Sequence, residues 1–298
     1  MTPQRAREII KASLQNRKKD EYWEIGFFGG SFTGIPQREQ EALLKVAQEA
    51  VSAGMADDIR LSTRPDYISE TVLDRLLFYG VGTVELGAQS MDDGVLDANR
   101  RGHTANQTRK ASEAILAKGL HLGLQMMIGL PGDTPEKAMK TAETFAEMKA
   151  ECVRIYPTLV ICGTGLADLY EKGKYAPLTI DEAVLQCAAL YRYFTEQNID
   201  VIRMGLLEMP ADDVLAGPYH PAFGELVMSA ACYEELLEKL QSFKGNALQI
   251  SVNPRYISIL QGQGKSNIKK LTKELSLRSL EVIQDETMPW GKTKVTQI

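Results

Sequence analysis

The sequence predicts an α/β fold built around a parallel sheet. Six apolar segments of strand length alternate with amphipathic segments of helical length, which is the pattern of repeated βαβ units. Such units are right-handed, so successive strands run parallel and their carboxyl ends share one edge. Glycine turns and polar residues follow several of these segments. The pattern alone leaves open a partial (β/α) barrel and a doubly wound sheet.

Composition limits the class of protein. The chain has 298 residues, of which 44% are hydrophobic, enough to bury the core of a barrel-sized domain. Charges interrupt every apolar run well before the length of a membrane span, and the N-terminus has no apolar signal core. We therefore expect a cytoplasmic protein with no membrane contact. The net charge of −5 argues against a uniformly basic surface.

The elements follow in order along the first two thirds of the chain. Thr2 and Pro3 are typical of a helix start, and an apolar stripe continues to Leu14. Strands are predicted at 23–28, 59–63, 81–87, 122–128, 152–160 and 199–204. The helices between them are predicted at 37–54, 69–78, within 106–118, at 134–149 and at 180–197.

The alternation stops after residue 204, so we predict a barrel-like domain over 1–204 and a small α+β appendage over 205–298. In the appendage, a helix at 224–240 precedes a strand at 247–252. Residues 256–260 are read as a continuation of that strand, and a helix follows at 266–275. From residue 254 onward eight cationic side chains stand against four carboxylates, which suits a polyanion or an ordinary solvated helix face.

A glycine turn follows the first aromatic strand. Gly29 and Gly30 let the main chain approach a ligand closely and leave N–H groups free for its polar end. Taken alone, the turn is more often an ordinary connection between strand and helix that requires glycine. Its interpretation therefore depends on what stands at the other strand ends.

Those strand ends carry a series of motifs in collinear order over nearly the whole chain. They are Phe27-Phe28-Gly29-Gly30-Ser31-Phe32-Thr33-Gly34-Ile35-Pro36, Thr63-Arg64-Pro65-Asp66-Tyr67, Val84-Glu85-Leu86-Gly87-Ala88-Gln89-Ser90, Asn99-Arg100-Arg101-Gly102-His103-Thr104, Met127-Ile128-Gly129-Leu130-Pro131-Gly132, Ile155-Tyr156-Pro157-Thr158-Leu159-Val160 and Ala216-Gly217-Pro218-Tyr219-His220-Pro221. The series resembles the radical-SAM enzymes related to the catalytic subunit of Elongator, and also oxygen-independent coproporphyrinogen-oxidase-like proteins. The resemblance implies a partial (β/α)6 TIM-like barrel whose first strand is missing. It also implies reductive cleavage of S-adenosylmethionine to a 5′-deoxyadenosyl radical.

The resemblance further implies which residues bind S-adenosylmethionine. They are Gly29, Gly30, Ser31, Thr33, Glu85, Gln89, Arg100, Gln125, Ile128, Gly129, Pro131 and Tyr156. Ser31 stands where an acidic residue is usual in the family, and a hydroxyl binds an ammonium without charge assistance. The carboxylate of Glu85 suits the ribose hydroxyls, and Arg100 suits the cofactor carboxylate. Gln125 occupies the position of an aspartate in relatives, which puts that contact in question.

Substrate and partners are implied in the same way. Arg64, Arg154, His220 and Lys265 are candidates for substrate binding, although each could be a structural hydrogen-bond donor instead. The family suggests a tRNA wobble uridine, approached by the basic C-terminal region, and an electron donor such as flavodoxin or ferredoxin. The Elongator subunit carries an acetyltransferase domain after its barrel, whereas this sequence ends about 90 residues after the predicted barrel, so we expect that domain to be missing.

The iron–sulfur motif of the family is absent from the sequence. A [4Fe–4S] cluster needs three cysteines spaced CxxxCxxC, whereas the four cysteines of this chain stand at 152, 162, 187 and 232. We expect the sequence to begin just after the cluster segment and the chain alone to be inactive. That would also leave the 23–28 strand with an unpaired edge. Two interpretations remain open: part of a longer radical-SAM enzyme, or a cluster-free module that binds S-adenosylmethionine or a nucleoside.

Overall fold

The computed structural model describes residues 1–18, 20–206, 210–243 and 245–298. Its helices are α1 (Pro3–Leu14), α2 (Gln37–Ser52), α3 (Glu70–Phe78), α4 (Asp93–Ala98), α5 (Ala105–Ala117), α6 (Pro135–Glu147), α7 (Gly165–Glu171), α8 (Ile180–Glu196), α9 (Phe223–Gln241), α10 (Ile257–Gln261) and α11 (Ser266–Glu274). Its strands are β1 (Glu24–Phe27), β2 (Asp58–Thr63), β3 (Thr83–Gln89), β4 (His121–Ile128), β5 (Cys152–Pro157), β6 (Val160–Ile161), β7 (Asp200–Met204), β8 (Val214–Ala216), β9 (Ala247–Val252), β10 (Ser279–Gln284) and β11 (Thr293–Gln297).

These elements form two compact units. The first comprises Met1–Tyr156 with Gln197–Ile202, and the second comprises Pro157–Glu196 with Arg203–Ile298. The boundary expected at residue 204 follows the sequence pattern, whereas the compact units assign α8 to the second unit. No helix in the described ranges is long and apolar enough to cross a membrane.

The sheet of the first unit has six parallel strands curled into a half-barrel of the TIM-like type. Its strand order is β1-β2-β3-β4-β5-β7, so each strand lies beside the next long strand in the chain. A doubly wound sheet would reverse direction at a switch point, and this order has no reversal. The predicted partial barrel is therefore confirmed.

The two faces of the sheet differ in chemistry, as β2 shows. Ile59 and Leu61 are fully buried on one face, and burying a side chain of this size contributes about 1.5–3 kcal/mol. Arg60 and Ser62 alternate with them and project from the opposite face. The register places Ser62 beside Glu85 of β3, so polar side chains of neighbouring strands share that face. The interior of the half-barrel is thus charged rather than apolar.

Side-chain caps fix where several helices start after a strand. Ser69 and Thr134 accept hydrogen bonds from Val72 N and Lys137 N, and Thr104 forms a reciprocal capping box with Gln107. Each cap is worth about 1 kcal/mol. The predicted starts of α3 and α6 agree with these positions.

The second unit contains a smaller sheet of order β10-β9-β11, in which β10 runs parallel and β11 antiparallel to β9. Its core is apolar and includes residues from α9, β9, α10 and α11: Leu236, Leu248, Ile250, Leu260 and Leu271. A two-stranded sheet of β6 and β8 completes the strands described for this unit.

Several predicted boundaries are wrong. The strand expected at 152–160 ends at Pro157, because proline lacks the N–H that a ladder needs, and β6 is a separate element. The segment 256–260 is helical, since the Asn253 side chain accepts from Arg255 N and starts a turn that leads into α10. The sequence pattern did not indicate α4, α7, β10 or β11.

Candidate functional site

The glycine turn after β1 is open. A Cβ placed on Gly29 or on Gly30 would meet no atom within 4 Å, and Gly29 has a φ of +99° that favours glycine. The ring of Phe28 lies over Gly26, where a Cβ would come within 2.5 Å of a ring carbon. Ser31 forms no side-chain cap hydrogen bond to the turn Phe32–Gly34. The turn therefore leaves room for the polar end of a ligand.

Thr33, also expected at the cofactor, is engaged inside the protein. Its Oγ1 lies 2.6 Å from Oγ1 of Thr63 and donates to the carbonyl oxygen of Tyr67 at 3.1 Å. These contacts join the loop after β1 to the end of β2. They position the glycine turn and make Thr33 a supporting residue in this arrangement.

Glu85 lies at the centre of the half-barrel with 1% of its surface exposed. Arg154 donates from Nε to Oε2 at 2.7 Å and from Nη2 to Oε1 at 2.9 Å. Gln125 donates to Oε2 at 2.8 Å, and Arg60 Nη1 donates to Oε1 at 3.1 Å. Each carboxylate oxygen therefore accepts two hydrogen bonds, which uses its full acceptor capacity.

This arrangement extends to β1 and is here named the inner charge network: Glu24, Arg60, Glu85, Gln125 and Arg154. Glu24 accepts from Arg60 Nε at 2.9 Å and from Arg60 Nη2 at 3.0 Å. The guanidinium carbon of Arg154 lies 4.7 Å from the ring centre of Phe28. Charged groups from four neighbouring strands are thus paired across the interior, with Gln125 from a fifth.

The pKa values follow from this pairing. Burial alone would raise the pKa of Glu85, but hydrogen bonds from Arg154 and Gln125 outweigh it and hold the pKa below its usual value. Burial alone would lower the pKa of Arg60 and of Arg154, and their hydrogen-bonded carboxylates raise both instead. All three side chains are therefore ionised at neutral pH.

The network bears on the role expected for Glu85. A ribose hydroxyl would have to replace one of its present donors, because neither carboxylate oxygen has a lone pair to spare. Gln125 is committed in the same way, since its Nε2 also donates to Ser62 Oγ at 3.1 Å. Cofactor binding by Glu85 and Gln125 stays a prediction. It requires both side chains to exchange their present hydrogen-bond partners for the cofactor.

Gln89 and Arg100 both have left-handed backbone conformations, with φ of +66° and +50°. Non-glycine residues adopt such values rarely, and they concentrate at binding sites. Gln89 is 8% exposed, and its Nε2 lies 2.9 Å from the position of a Cβ on Gly87. Arg100 is exposed and lines an open cavity of about 540 Å³ beside Asp93 and Asp97.

The turn after β4 is held from both sides. Gly129, with φ of +72°, donates its N–H to Asp133 Oδ2 at 3.0 Å. Asn99 Nδ2 donates to the carbonyl oxygen of Pro131 at 3.0 Å, which fixes the residue preceding Arg100 beside this turn. Ile128 is fully buried, so a base could pack on it only after rearrangement. The adenine-side role of this turn stays a prediction.

Tyr156, expected at the cofactor, and three residues expected at the substrate occupy separate environments. Tyr156 forms a side-chain hydrogen bond with Arg154, and Arg154 is also bound to Glu85. In the second unit, His220 Nδ1 accepts from Ala222 N at 3.0 Å, which is a structural contact. Lys265 is exposed with a φ of +62° at the start of α11.

Arg64 belongs to a cluster at the carboxyl end of β2. Its Nε and Nη2 donate to the two oxygens of Asp66 at 2.9 and 2.8 Å, and its guanidinium stacks on Tyr67 at 5.3 Å. Nη2 also lies 2.9 Å from the position that a Cβ on Gly102 would occupy. His103 follows Gly102, and its Nε2 lies 3.1 Å from the carbonyl oxygen of Ala88 in β3.

The cysteines do not fit an iron–sulfur cluster. Cys152, Cys187 and Cys232 are buried and Cys162 is exposed, and no group of three or more potential metal ligands occurs among the described residues. Burial raises the pKa of Cys152 and of Cys187, and raises that of Cys232 to about 12. Iron is bound by thiolates, and these thiols stay protonated. Within the described ranges, the glycine turn after β1 is open and the cysteines form no ligand set for a cluster.

Comparison with known proteins defines the class. Residues 1–145 match the radical SAM superfamily, and residues 150–231 match the radical SAM C-terminal domain. The chain therefore belongs to the radical SAM superfamily, whose members use S-adenosylmethionine and a [4Fe–4S] cluster.

Within the superfamily, the chain is homologous to Elongator-type tRNA-modifying proteins. It is 32% identical over 165 residues to the tRNA uridine(34) acetyltransferase of Methanocaldococcus jannaschii, covering 54% of this chain and 30% of that protein. It is 30% identical over 172 residues to Elongator complex protein 3 of Saccharomyces cerevisiae, covering 51% and 31%. The chain thus spans about a third of the length of these two relatives.

Solved structures agree with the fold. The archaeal Methanocaldococcus infernus Elp3 with an N-terminal deletion superimposes with a TM-score of 0.65 at 25% identity, covering 79% of this chain and 58% of that one. Streptococcus suis SuiB bound to S-adenosylmethionine has a TM-score of 0.51 at 12% identity, covering 77% and 45%, a likeness of fold alone.

Sequence reasoning missed three contributors to the site. Arg60 and Glu24 complete the inner charge network, and Asp133 holds the N–H of Gly129. A signal for Arg60 was available, because it alternates with Ile59 and Leu61 in a short strand and so faces the same side as Glu85. For Asp133 the signal was weaker, since an aspartate after a glycine–proline turn is common.

Proposed function

We propose that this chain supplies the S-adenosylmethionine-binding half-barrel of a radical SAM enzyme that acts on a uridine of tRNA. The superfamily match supports the cofactor, and the archaeal relatives, which are tRNA uridine(34) acetyltransferases, support the substrate. The observation that carries the proposal is the open turn at Gly29 and Gly30, at the strand end where TIM-like barrels bind their ligands.

In this proposal the glycine turn receives the amino acid end of S-adenosylmethionine through backbone N–H groups. Arg100, fixed beside the Pro131 turn by Asn99, is the cation for its carboxylate. Gln89, the last residue of β3, supplies an amide side chain that hydrogen-bonds the cofactor in this proposal. When bound with its cluster, the cofactor supplies a carbon radical, whereas this chain's residues bind and orient the molecule.

The test is binding of S-adenosylmethionine, measured by calorimetry. In Gly30→Leu a side chain enters the open turn, and we expect affinity to fall at least about tenfold, which is about 1.4 kcal/mol. Gly165→Leu is the matched control, because its Cβ position is also open and its φ is unremarkable. Equal affinities of wild type, Gly30→Leu and Gly165→Leu would contradict the proposed site.

The cluster is tested separately. We expect anaerobic reconstitution of the 298-residue chain with iron and sulfide to leave it without cluster absorption, and a strong reductant to yield no 5′-deoxyadenosine. A flavodoxin or ferredoxin is the proposed electron donor of the cluster-bearing enzyme. Recovery of 5′-deoxyadenosine from this chain alone would overturn the expectation of inactivity.

A second function is favoured by the saturated carboxylate of Glu85 and by the absence of a CxxxCxxC trio from the sequence. It is a cluster-free module that binds S-adenosylmethionine or a nucleoside. A version extended upstream in its reading frame separates the two: cluster in the extended form supports the enzyme. Cofactor binding without cluster in either form supports the module.

RNA contact is proposed for the basic C-terminal region. Lys269, Lys270 and Lys273 lie on α11, and Lys270 Nζ lies 5.8 Å from the ring centre of Tyr233. Lys269→Gln with Lys273→Gln should weaken binding of a uridine-containing RNA hairpin and reduce its salt dependence. Lys110→Gln, an exposed lysine on α5, is the control.

A further inference from the structure

Gln40 is a buried amide side chain that contacts the loop after β1. It lies near the start of α2 and is 2% exposed. Its Nε2 donates to the carbonyl oxygen of Ile35 at 2.7 Å and to that of Thr33 at 3.1 Å. A single amide group therefore ties two residues of the loop to α2.

The geometry of the helix explains how Gln40 reaches the loop. Side chains of an α-helix point towards its N-terminus, so the side chain of Gln40 lies over the residues that precede it. The backbone N–H of Gln40 donates to the carbonyl oxygen of Pro36, the N-cap residue of α2, at 3.1 Å. The backbone and the side chain of one residue thus hold the end of the loop at three carbonyl oxygens.

The other polar atom of this amide, Oε1 of Gln40, is buried and has no hydrogen-bond partner among the described residues. The opposite orientation of the amide would set Oε1 against two carbonyl oxygens, so the two contacts of Nε2 fix the orientation. A buried acceptor without a donor destabilises the folded protein, and each such group calls for an explanation. Gln40 therefore keeps its donors on the loop in spite of an unpaired acceptor, which a residue that only fills space would not do.

The end of β2 holds the same loop from another side. Thr33 Oγ1 lies 2.6 Å from Thr63 Oγ1 and donates to the carbonyl oxygen of Tyr67 at 3.1 Å. The ring of Tyr67 also covers Gly34, where a Cβ would come within 2.6 Å of a ring carbon. The glycine turn itself is not packed in this way, because Cβ atoms at positions 29 and 30 would meet no atom within 4 Å. The conformation of the turn therefore depends on how the loop that follows it is held.

We propose that Gln40 is a positioning residue for the glycine turn after β1. By holding Thr33 and Ile35 against α2, it keeps the backbone N–H groups of the turn in the orientation that receives the polar end of the ligand. A loop that is fixed before binding loses less conformational freedom when the ligand arrives, so the ligand binds more tightly. Gln40 acts through the loop and not by touching the ligand. The identity of that ligand, S-adenosylmethionine, rests on the proposed function.

The first test is hydrogen exchange of the protein without ligand, read by mass spectrometry over residues 28–36. The N–H groups of Gly34 and Ile35 donate to carbonyl oxygens within this loop and report on its opening. Gln40→Met keeps the length of the side chain and removes both donors, so exchange should become at least about threefold faster. Gln48→Met is the matched control, because Gln48 also lies on α2 and its Nε2 donates to the carbonyl oxygen of Phe78 at 2.9 Å. Equal exchange of residues 28–36 in wild type and Gln40→Met would overturn the proposal.

The second test is the affinity for S-adenosylmethionine, measured by calorimetry at a temperature where every variant is folded. Gln40→Met should bind at least about fivefold more weakly than wild type, whereas Gln48→Met should bind like wild type. No binding by the wild type would overturn the proposed function. Binding by the wild type and equally by Gln40→Met would overturn the role of Gln40 alone.

The third test separates positioning from packing by means of Gln40→Glu, in which the side chain keeps its size. A protonated carboxyl group donates one hydrogen bond to the loop, whereas a carboxylate donates none and faces two carbonyl oxygens. Burial beside these carbonyls raises the pKa of the introduced carboxyl group. Relative to wild type at the same pH, the affinity of Gln40→Glu should therefore be within about twofold at pH 5 and at least about tenfold weaker at pH 8. An affinity ratio that does not change with pH would show that the donors of Gln40 have no part in binding and would overturn the proposal.

Discussion

The inner charge network and the side chain of Arg101 belong to the same compact unit but differ in how completely their polar atoms are paired. In the network, Glu85 is 1% exposed and accepts four hydrogen bonds from two arginines and a glutamine. In Arg101, by contrast, Nε is buried and has no hydrogen-bond partner within the described ranges. The difference separates fully paired buried charges from a partly buried cation whose pairing is incomplete.

The physical basis is the cost of desolvation. A buried ion pair recovers its desolvation penalty only when geometry and hydrogen bonding are nearly complete, as they are around Glu85. Removing one partner from such a pair is strongly destabilising, whereas removing an unpaired charge relieves a penalty. Stability measurements can therefore tell the two regions apart.

The largest effect is expected for Glu85→Ala. Arg154 and Arg60 would lose their shared carboxylate inside the half-barrel, and we expect unfolding free energy to fall by about 3–5 kcal/mol at pH 7. Urea denaturation followed by circular dichroism measures it. Because the folded-state pKa of Glu85 is lowered, its contribution to stability is present above its ordinary pKa of 4.5 and is lost as pH falls from there through the lowered pKa.

A double variant sharpens this prediction. Glu85→Leu with Arg154→Met replaces the central pair by apolar groups and should recover part of the loss, since no charge from that pair stays unpaired. A loss in Glu85→Ala below about 1 kcal/mol would mean that the network is held by water instead of by its own partners, and the contrast with Arg101 would fail.

The next largest loss of stability is expected for a variant that disturbs the packing around the inner charge network. A Cβ on Gly123 would come within 2.6 Å of Glu85 Cγ and 3.1 Å of Cys152 Sγ, with no flexible chain end to move aside. Gly123→Ala should therefore lower unfolding free energy by about 1–3 kcal/mol. Gly165→Ala, where the Cβ position is open, is the control. An unchanged stability for Gly123→Ala would show that Glu85 can shift without cost.

Much of this architecture can be predicted from the sequence. The alternation of strand and helix segments predicts a parallel sheet, and the motifs indicate where its strands end. Alternation along β3 puts Glu85 and Gly87 on one side of the sheet, and the structure shows that Glu85 is buried there with 1% of its surface exposed. Its partners were not predictable, since Arg154 stands 69 residues away and reaches Glu85 only through the curl of the sheet. The short helix at 257–261 was missed because a local cap at Asn253 overrode its β-branched composition.

Asp133 provides an intermediate case, because its carboxyl group accepts hydrogen bonds from the backbone N–H groups of Gly129 and Thr134. Burial, more than these bonds can offset, raises its pKa to about 6 from 3.8. The folded protein therefore holds this proton where the unfolded chain releases it, so stability falls as pH rises from 3.8 to about 6. The difference corresponds to at most about 3 kcal/mol, and partial solvent contact reduces it to about 1–2 kcal/mol.

Asp133→Asn keeps an acceptor for the N–H of Gly129 and removes the charge. The unfolding free energy of this variant relative to wild type should rise by about 1–2 kcal/mol between pH 4 and pH 7 and stay level above that. If the difference in unfolding free energy between Asp133→Asn and wild type is constant over this pH range, the pKa of Asp133 is not raised. In that event Asp133 would belong with the fully satisfied carboxylates such as Glu85.

The smallest effect on stability is expected for the ion pair of His121 and Glu151. This pair tests whether distance or burial sets the contribution of an ion pair to stability. Nδ1 of His121 lies 2.7 Å from Oε2 of Glu151, as close as the pairs around Glu85, but the two side chains are 59% and 54% exposed. Water already solvates both groups, so Glu151→Gln should change unfolding free energy by less than about 0.5 kcal/mol. If the loss in Glu151→Gln matched the loss in Glu85→Ala, distance alone would set the contribution of an ion pair to stability. If the loss is small, burial sets that contribution, because the ion pairs of Glu85 are buried and the pair of His121 and Glu151 is exposed.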